Sequence, residues 1–231
     1  MKKLAFFVFA ALFASLTVNA QDFSKIAAKE AKSYKKQGWV VAPGQFPLEY
    51  QLARAYQLRS ERDNNDYEVY VDGQAQSIGA TYDAAKMQAL EMAKLQLASK
   101  LQTQITTIID NTVANNQLPK EQAESITKTV AASKTLISQN IGRVLTIVEC
   151  YRELPKKNKE VLVQIFYNKQ KAMAAAKRSI HEQMVKDGLA KEGEELHDRL
   201  DKILGYKTKY SHNKGHPIGC PLFFITLLPN L

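Results

Sequence analysis

His212, His216 and Cys220 recur four residues apart near the C-terminus, where the sequence comes nearest to a set of metal ligands. Neutral imidazole and thiolate suit zinc, and a spacing of four would align them on one helix face. Gly215, Pro217 and Gly219 stand between them and prevent that helix, and a fourth ligand is missing. The trio therefore reads as no metal site. The other two of the 4 histidines, His181 and His197, fall on polar faces of predicted helices and form no H-E-x-x-H pair. No glycine-rich phosphate loop follows a strand, and no G-x-S-x-G elbow occurs. Asp and Glu are plentiful, but their spacing nominates no acid–base pair. The expectation is a non-enzyme with no catalytic residue, no metal and no cofactor.

The N-terminus carries a different signal. "MKKLAFFVFAALFASLTVNA" opens with two lysines, runs through an apolar stretch from Leu4 to Leu16 and closes on Val18-Asn19-Ala20. That is the pattern of a secretory signal peptide, cut ahead of Gln21. The apolar run is shorter than the roughly 20 residues a membrane span needs. A lipid-anchored export signal would need cysteine where Gln21 stands. The expected location is outside the cytoplasm, periplasmic or associated with the outer membrane, without a lipid anchor.

Charge and cysteine usage fit that compartment. The formal net charge is +9, carried by dispersed lysines with no aromatic-interleaved basic motif. Nucleic acid is therefore not the expected partner; anionic lipid headgroups, wall polymers or acidic proteins are. The only cysteines are Cys150, in a predicted strand, and Cys220, in the tail. Two thiols make no disulfide framework. A buried thiol at Cys150 and an incidental one at Cys220 is the preferred reading, with a bridge between them left open.

The elements follow from periodicity. Phe23, Ile26, Ala27, Ala31 and Tyr34 share one stripe with lysines filling the rest, which predicts an amphipathic helix over 23–36 that Gly38 stops. Trp39 is expected to plug the core of this N-terminal layer. "WVVAP" adds an extended segment, and a helix with Leu48, Leu52, Ala55 and Arg59 at helical spacing leads to the charged loop 59–66. In "YEVYVDG", Tyr67, Val69 and Val71 alternate with polar neighbours as in a half-buried strand, with a loose continuation between Gly73 and Gly79.

The helix beginning at "DAAKMQALEMAKLQLASKLQTQI" sets Ala85, Ala89, Ala93, Leu97, Leu101 and Ile105 four apart, with Met92 and Ile108 widening the stripe. Small side chains at its start predict a close approach to a sheet or helix, and bulky ones later a wider interface. A second helix over 119–140 shows Ala123, Ile126, Val130 and Ile137. "RVLTIVECYRELPKKNKEVLVQIFYN" predicts a hairpin turning at Pro155–Asn158, after which Asn168 caps a helix with Ala172, Met173, Ala176, Ile180 and Met184. A last helix over 192–204 carries Leu196, Leu200, Ile203 and Leu204 and stops at Gly205.

The expected fold class is α+β, a small antiparallel sheet of about three strands packed against several long helices. The expected divisions are a signal peptide over 1–20, an N-terminal helical segment over 21–66, an α+β domain over 67–205 and an irregular tail over 206–231. A strand leading into "DAAKMQALEMAKLQLASKL", a second helix and a return hairpin with "VLVQIFYN" resembles the outer-membrane lipoprotein family known as Lpp-twenty, over residues 67–185. The resemblance implies an envelope protein with structural or interaction duties and brings no catalytic residues. The chain departs from that family in lacking the lipobox cysteine and in the residues that precede the shared part.

The leading expectation is an exported structural or protein-interaction module with an envelope protein partner. The second is a binder of anionic envelope polymers or lipid surfaces in peripheral contact with membrane or wall, and the third an unrecognised hydrolase.

Overall fold

A computed structural model describes residues 23–115 and 118–189, together with residues 191, 194 and 198. The signal segment, the predicted helix 192–204 with His197, and the tail with His212, His216 and Cys220 lie outside the described residues, those three single positions aside.

The described residues form six helices around a three-stranded antiparallel sheet, and the fold is α+β. In chain order these are α1 (Phe23–Lys36), α2 (Leu48–Ser60), β1 (Tyr70–Gly79), α3 (Tyr82–Ala114), α4 (Lys120–Ala132), α5 (Lys134–Asn140), β2 (Leu145–Glu153), β3 (Lys159–Asn168) and α6 (Lys169–Lys186). The strand order is β1-β3-β2, so β3 is central. Its run "VLVQIF" is buried on both faces. Val161, Val163 and Ile165 join a core with α3, α4, α5 and α6, while Leu162 and Phe166 join a second core under α1 and α2. The N-terminal helices are thus a layer on the sheet. Trp39 plugs that layer as expected, 2% exposed, edge-on to Tyr34 and 4.9 Å below the Arg152 guanidinium.

The alanine row of α3 now has its reason. Ala85, Ala89 and Ala93 are fully buried, and the strand they lie against presents glycine. A methyl group at Gly79 would stand 2.8 Å from the Ala85 nitrogen, and one at Gly73 would collide with the Ala93 carbonyl and lie 3.2 Å from the Leu97 Cβ. Helix and strand backbones are in contact there. At 33 residues α3 is about 50 Å long and outruns the sheet. Farther along, Gln102 donates to the Val130 and Ala131 carbonyls of α4, and Leu101, Ile105 and Ile109 fill a helix–helix core where larger side chains fit. Fully burying each of these contributes about 1.5–3 kcal/mol.

Several expectations shift. The first strand begins at Tyr70 rather than Tyr67, which is 60% exposed in a turn whose amides donate to Asp63 Oδ1. The stretch expected to be a loose continuation is regular strand, paired residue by residue with β3 from Tyr70↔Asn168 to Gly79↔Lys159. Met92 and Ile26 are exposed, so both stripes are narrower than predicted. The helix expected over 119–140 is two, α4 and α5, broken at buried Ser133, whose hydroxyl donates back to the Thr129 carbonyl at 2.7 Å.

The Asn168 cap and the turn at Pro155 fall in place, and the start of α3, where Asp83 or Thr81 could cap, is capped by Thr81. Thr81 accepts from the Ala84 amide at the start of α3, and Asn168 from the Lys171 amide at the start of α6. The β2–β3 connection passes through Pro155–Lys157, with Lys156 and Lys157 both left-handed. The extended segment after Trp39 contributes one bridge, in which Val40 exchanges two 2.8 Å hydrogen bonds with Tyr151 on the outer edge of β2. Covering an edge in this way removes a template for pairing with another chain.

Candidate functional site

A half-buried carboxylate, a buried one and a basic surface concentrate the charge of the fold. The first carboxylate is Asp72 on β1, 16% exposed. It accepts from Lys100 Nζ of α3 at 2.6 Å, Arg59 of α2 at 3.0 Å and Gln164 of β3 at 3.0 Å. Burial pushes the carboxyl up, but the three donors outweigh it and hold Asp72 below its usual value. An anion so stabilised is a poor general base. Beside it opens a cleft of about 340 Å³ lined by Arg59, Glu68, Tyr70, Lys100, Gln104 and others, in which Glu68 is paired with Lys169 at 2.9 Å.

The second is Glu149 on β2, its side chain 8% exposed. The Tyr82 hydroxyl and Lys86 Nζ of α3 both donate to Oε1, the lysine at 2.8 Å, and the Glu149 amide donates to Gln51 Oε1 of α2 at 2.7 Å. Burial and the adjacent carboxylate push the Tyr82 phenol well above the usual tyrosine value, which keeps it a protonated donor. Each network joins a helix on one face of the sheet to a helix on the other. Their chemistry is that of ties between layers.

Several other groups are shifted by burial or by a bonded partner. Burial pushes the Cys150 thiol up to about 12, with Glu149 adding to the shift, so the cysteine predicted to be a buried thiol is an inert one. Tyr56 donates to Glu30 at 2.5 Å and is raised to about 12 chiefly by that bond. Lys177, which the sequence pattern passed over, is 3% exposed on α6 and lowered by burial. His181 is half-buried on the same helix. Among the described residues no group of three His, Cys, Asp or Glu side chains could hold a metal ion, and no helix is long and apolar enough to cross a membrane.

The basic surface is the outer face of the α1–α2 layer. Ala27 and Ala31 point α1 at the core, so Lys25, Lys29, Lys32 and Lys36 share the opposite, exposed face. Their i, i+4, i+7, i+11 spacing spans about 16 Å. Over residues 23–60 seven lysines and arginines stand against two carboxylates. Glu30 is taken by Tyr56, and Glu49 lies 3.5 Å from Lys35. The connection between the two helices exposes Val40 (49%) and Phe46 (75%), and the first turn of α2 exposes Tyr50 (68%). The sequence pattern had the lysines only as filler between apolar positions, and their alignment was legible there. The exposure of Phe46 was not.

No family model, curated protein or solved structure matches this chain.

Proposed function

We propose that the protein is an exported, non-catalytic interaction module of the cell envelope that works through the outer face of the α1–α2 layer. The observation that carries this reading is the row of exposed lysines along one face of α1, in a layer that also exposes Phe46 and Tyr50. A surface of that kind recruits an anionic partner, because long-range attraction raises the encounter rate and apolar contact then holds the complex. Export is supported by the signal pattern ending at Ala20, and an envelope setting by the resemblance of residues 67–185 to the Lpp-twenty domain. The Asp72 and Glu149 networks add to this, since each carboxylate is bonded to groups from more than one layer.

The test is co-sedimentation of the purified chain with a washed envelope fraction across a salt series, for the native sequence and for a variant with Lys25, Lys29, Lys32 and Lys36 all changed to Gln. Binding that falls with salt and is lost in the variant supports the reading. Equal binding by both chains at every ionic strength refutes it.

A further inference from the structure

We infer that the partner of this face is an anionic lipid bilayer, with the lysine ridge of α1 lying over the headgroups and the Phe46 turn seated at the membrane interface. The inference rests on the interaction-module reading and names its occupant. The ridge sets four exposed lysines along one face of a helix, the arrangement by which an amphipathic helix lies on a membrane surface.

The turn explains why the plane is lipid. Pro43 and Pro47 flank it, Gly44 takes a left-handed φ of +84°, and the Phe46 carbonyl accepts from the buried Gln51 amide at 2.7 Å. Through its other end Gln51 accepts from the Glu149 amide, so the turn is pinned to β2. A braced turn holds Phe46 three-quarters exposed at no ordering cost on binding. The Lys35–Glu49 pair ties the end of α1 to the first turn of α2, which places Tyr50 and the last lysines at one end of the layer. Exposed lysines on α1 together with exposed Phe46, Tyr50 and Val40 match the headgroup boundary, where ammonium groups meet phosphate and aromatic side chains leave water. A polyanionic sugar polymer would engage the lysines but offers no hydrocarbon phase into which both Phe46 and Val40 could leave water.

The experiment uses the full chain carrying Phe46→Trp, whose introduced indole reports from the turn itself against the constant signal of buried Trp39. Vesicles of brominated phosphatidylglycerol or brominated phosphatidylcholine are added at about 0.1 M salt and again at about 0.5 M. The expected result is blue-shifted, bromine-quenched emission from the introduced indole on the anionic vesicles at low salt only. Each lysine near an anionic surface is worth about fivefold in affinity, so changing all four to Gln weakens vesicle binding by at least about a hundredfold. Phe46→Ser removes the interfacial anchor while leaving the ridge, and retains only weak, fully salt-sensitive binding.

Vesicle binding that leaves the introduced indole unquenched, or equal quenching on neutral vesicles, overturns the inference. If the chain ignores anionic vesicles yet still binds the envelope fraction through its lysines, the lipid assignment fails and the interaction-module reading survives. Loss of both refutes both.

Discussion

Gly73→Ala tests the close approach of α3 to the sheet more sharply than any change in the helix. The added methyl would fall inside the contact distance of the Ala93 carbonyl oxygen, 3.1 Å from its carbon and 3.2 Å from the Leu97 Cβ. Neither atom belongs to a flexible side-chain tip, so α3 must retreat from β1 by about 1 Å to restore a C···O separation of roughly 3.3 Å. A gap of that size forfeits a quarter to a half of the dispersion energy along the row Ala85, Ala89, Ala93 and Leu97. Overpacking adds about 1–3 kcal/mol. Alanine recovers roughly 0.5–1 kcal/mol over glycine in a strand.

The net expectation for Gly73→Ala is a loss of about 2–3 kcal/mol, which lowers the melting temperature by about 5–10 °C in a domain of this size. Ala93→Leu, pressing on the same contact from the helix side, should cost a comparable amount. Lys94→Leu, at a position paired with Glu91 and away from the row, should change stability little. Urea denaturation followed by circular dichroism measures all three. If Gly73→Ala is as stable as the native chain with an unchanged m-value, helix and strand are not in backbone contact and the explanation of the alanines fails.

Two further outcomes are expected. Asp72 has a folded pKa below its unfolded value, so its contribution is present above about pH 4 and disappears as pH falls through the folded value. Asp72→Asn should therefore cost about 1–2 kcal/mol at pH 7, discounted for half-exposed Arg59 and Lys100, and flatten the loss of stability with acid; parallel acid-stability curves for the two chains would contradict this. In a Cys220→Ser background the Cys150 thiol, 1% exposed and raised to about 12, should be inert to a disulfide reagent at pH 8 until denaturant is added, and prompt native-state labelling would show that the β2 face is open.

What the sequence disclosed and what it hid divide along the range of the interactions. The row from Ala85 to Ile105, the cap at Asn168 and the hairpin turn at Pro155 are patterns within a few residues, and each could be read directly. The second half of β1 could not. "DGQAQSIG" is poor in β-formers, and it is strand because β3 pairs with all ten of its positions and because Gln96 of α3 accepts from the Gln74 amide on its open side. The same glycines that made it look like a loop are what let α3 lie against it, so local propensity and tertiary need point in opposite directions at Gly73 and Gly79. Nor did Ser133 announce a helix break, since its full burial, which favours the back-bonded hydroxyl, is not visible in the sequence.

The charged groups follow the same rule. Asp72 meets partners 13, 28 and 92 residues away, and Glu149 partners 63 and 67 away, so neither network exists in the sequence in any readable form. The lysine ridge of α1 does, because four positions on one helix face need only the period of the helix. That contrast bears on function. Carboxylates recruited across the whole chain to one point hold layers together, and their cost of burial is offset only where the donors converge. Cations gathered by local periodicity on an outer face stabilise little, and four lysines spaced three or four residues apart on α1 repel one another. The anionic surface proposed above as the partner of this face would relieve that repulsion, a relief that the networks at Asp72 and Glu149 do not need.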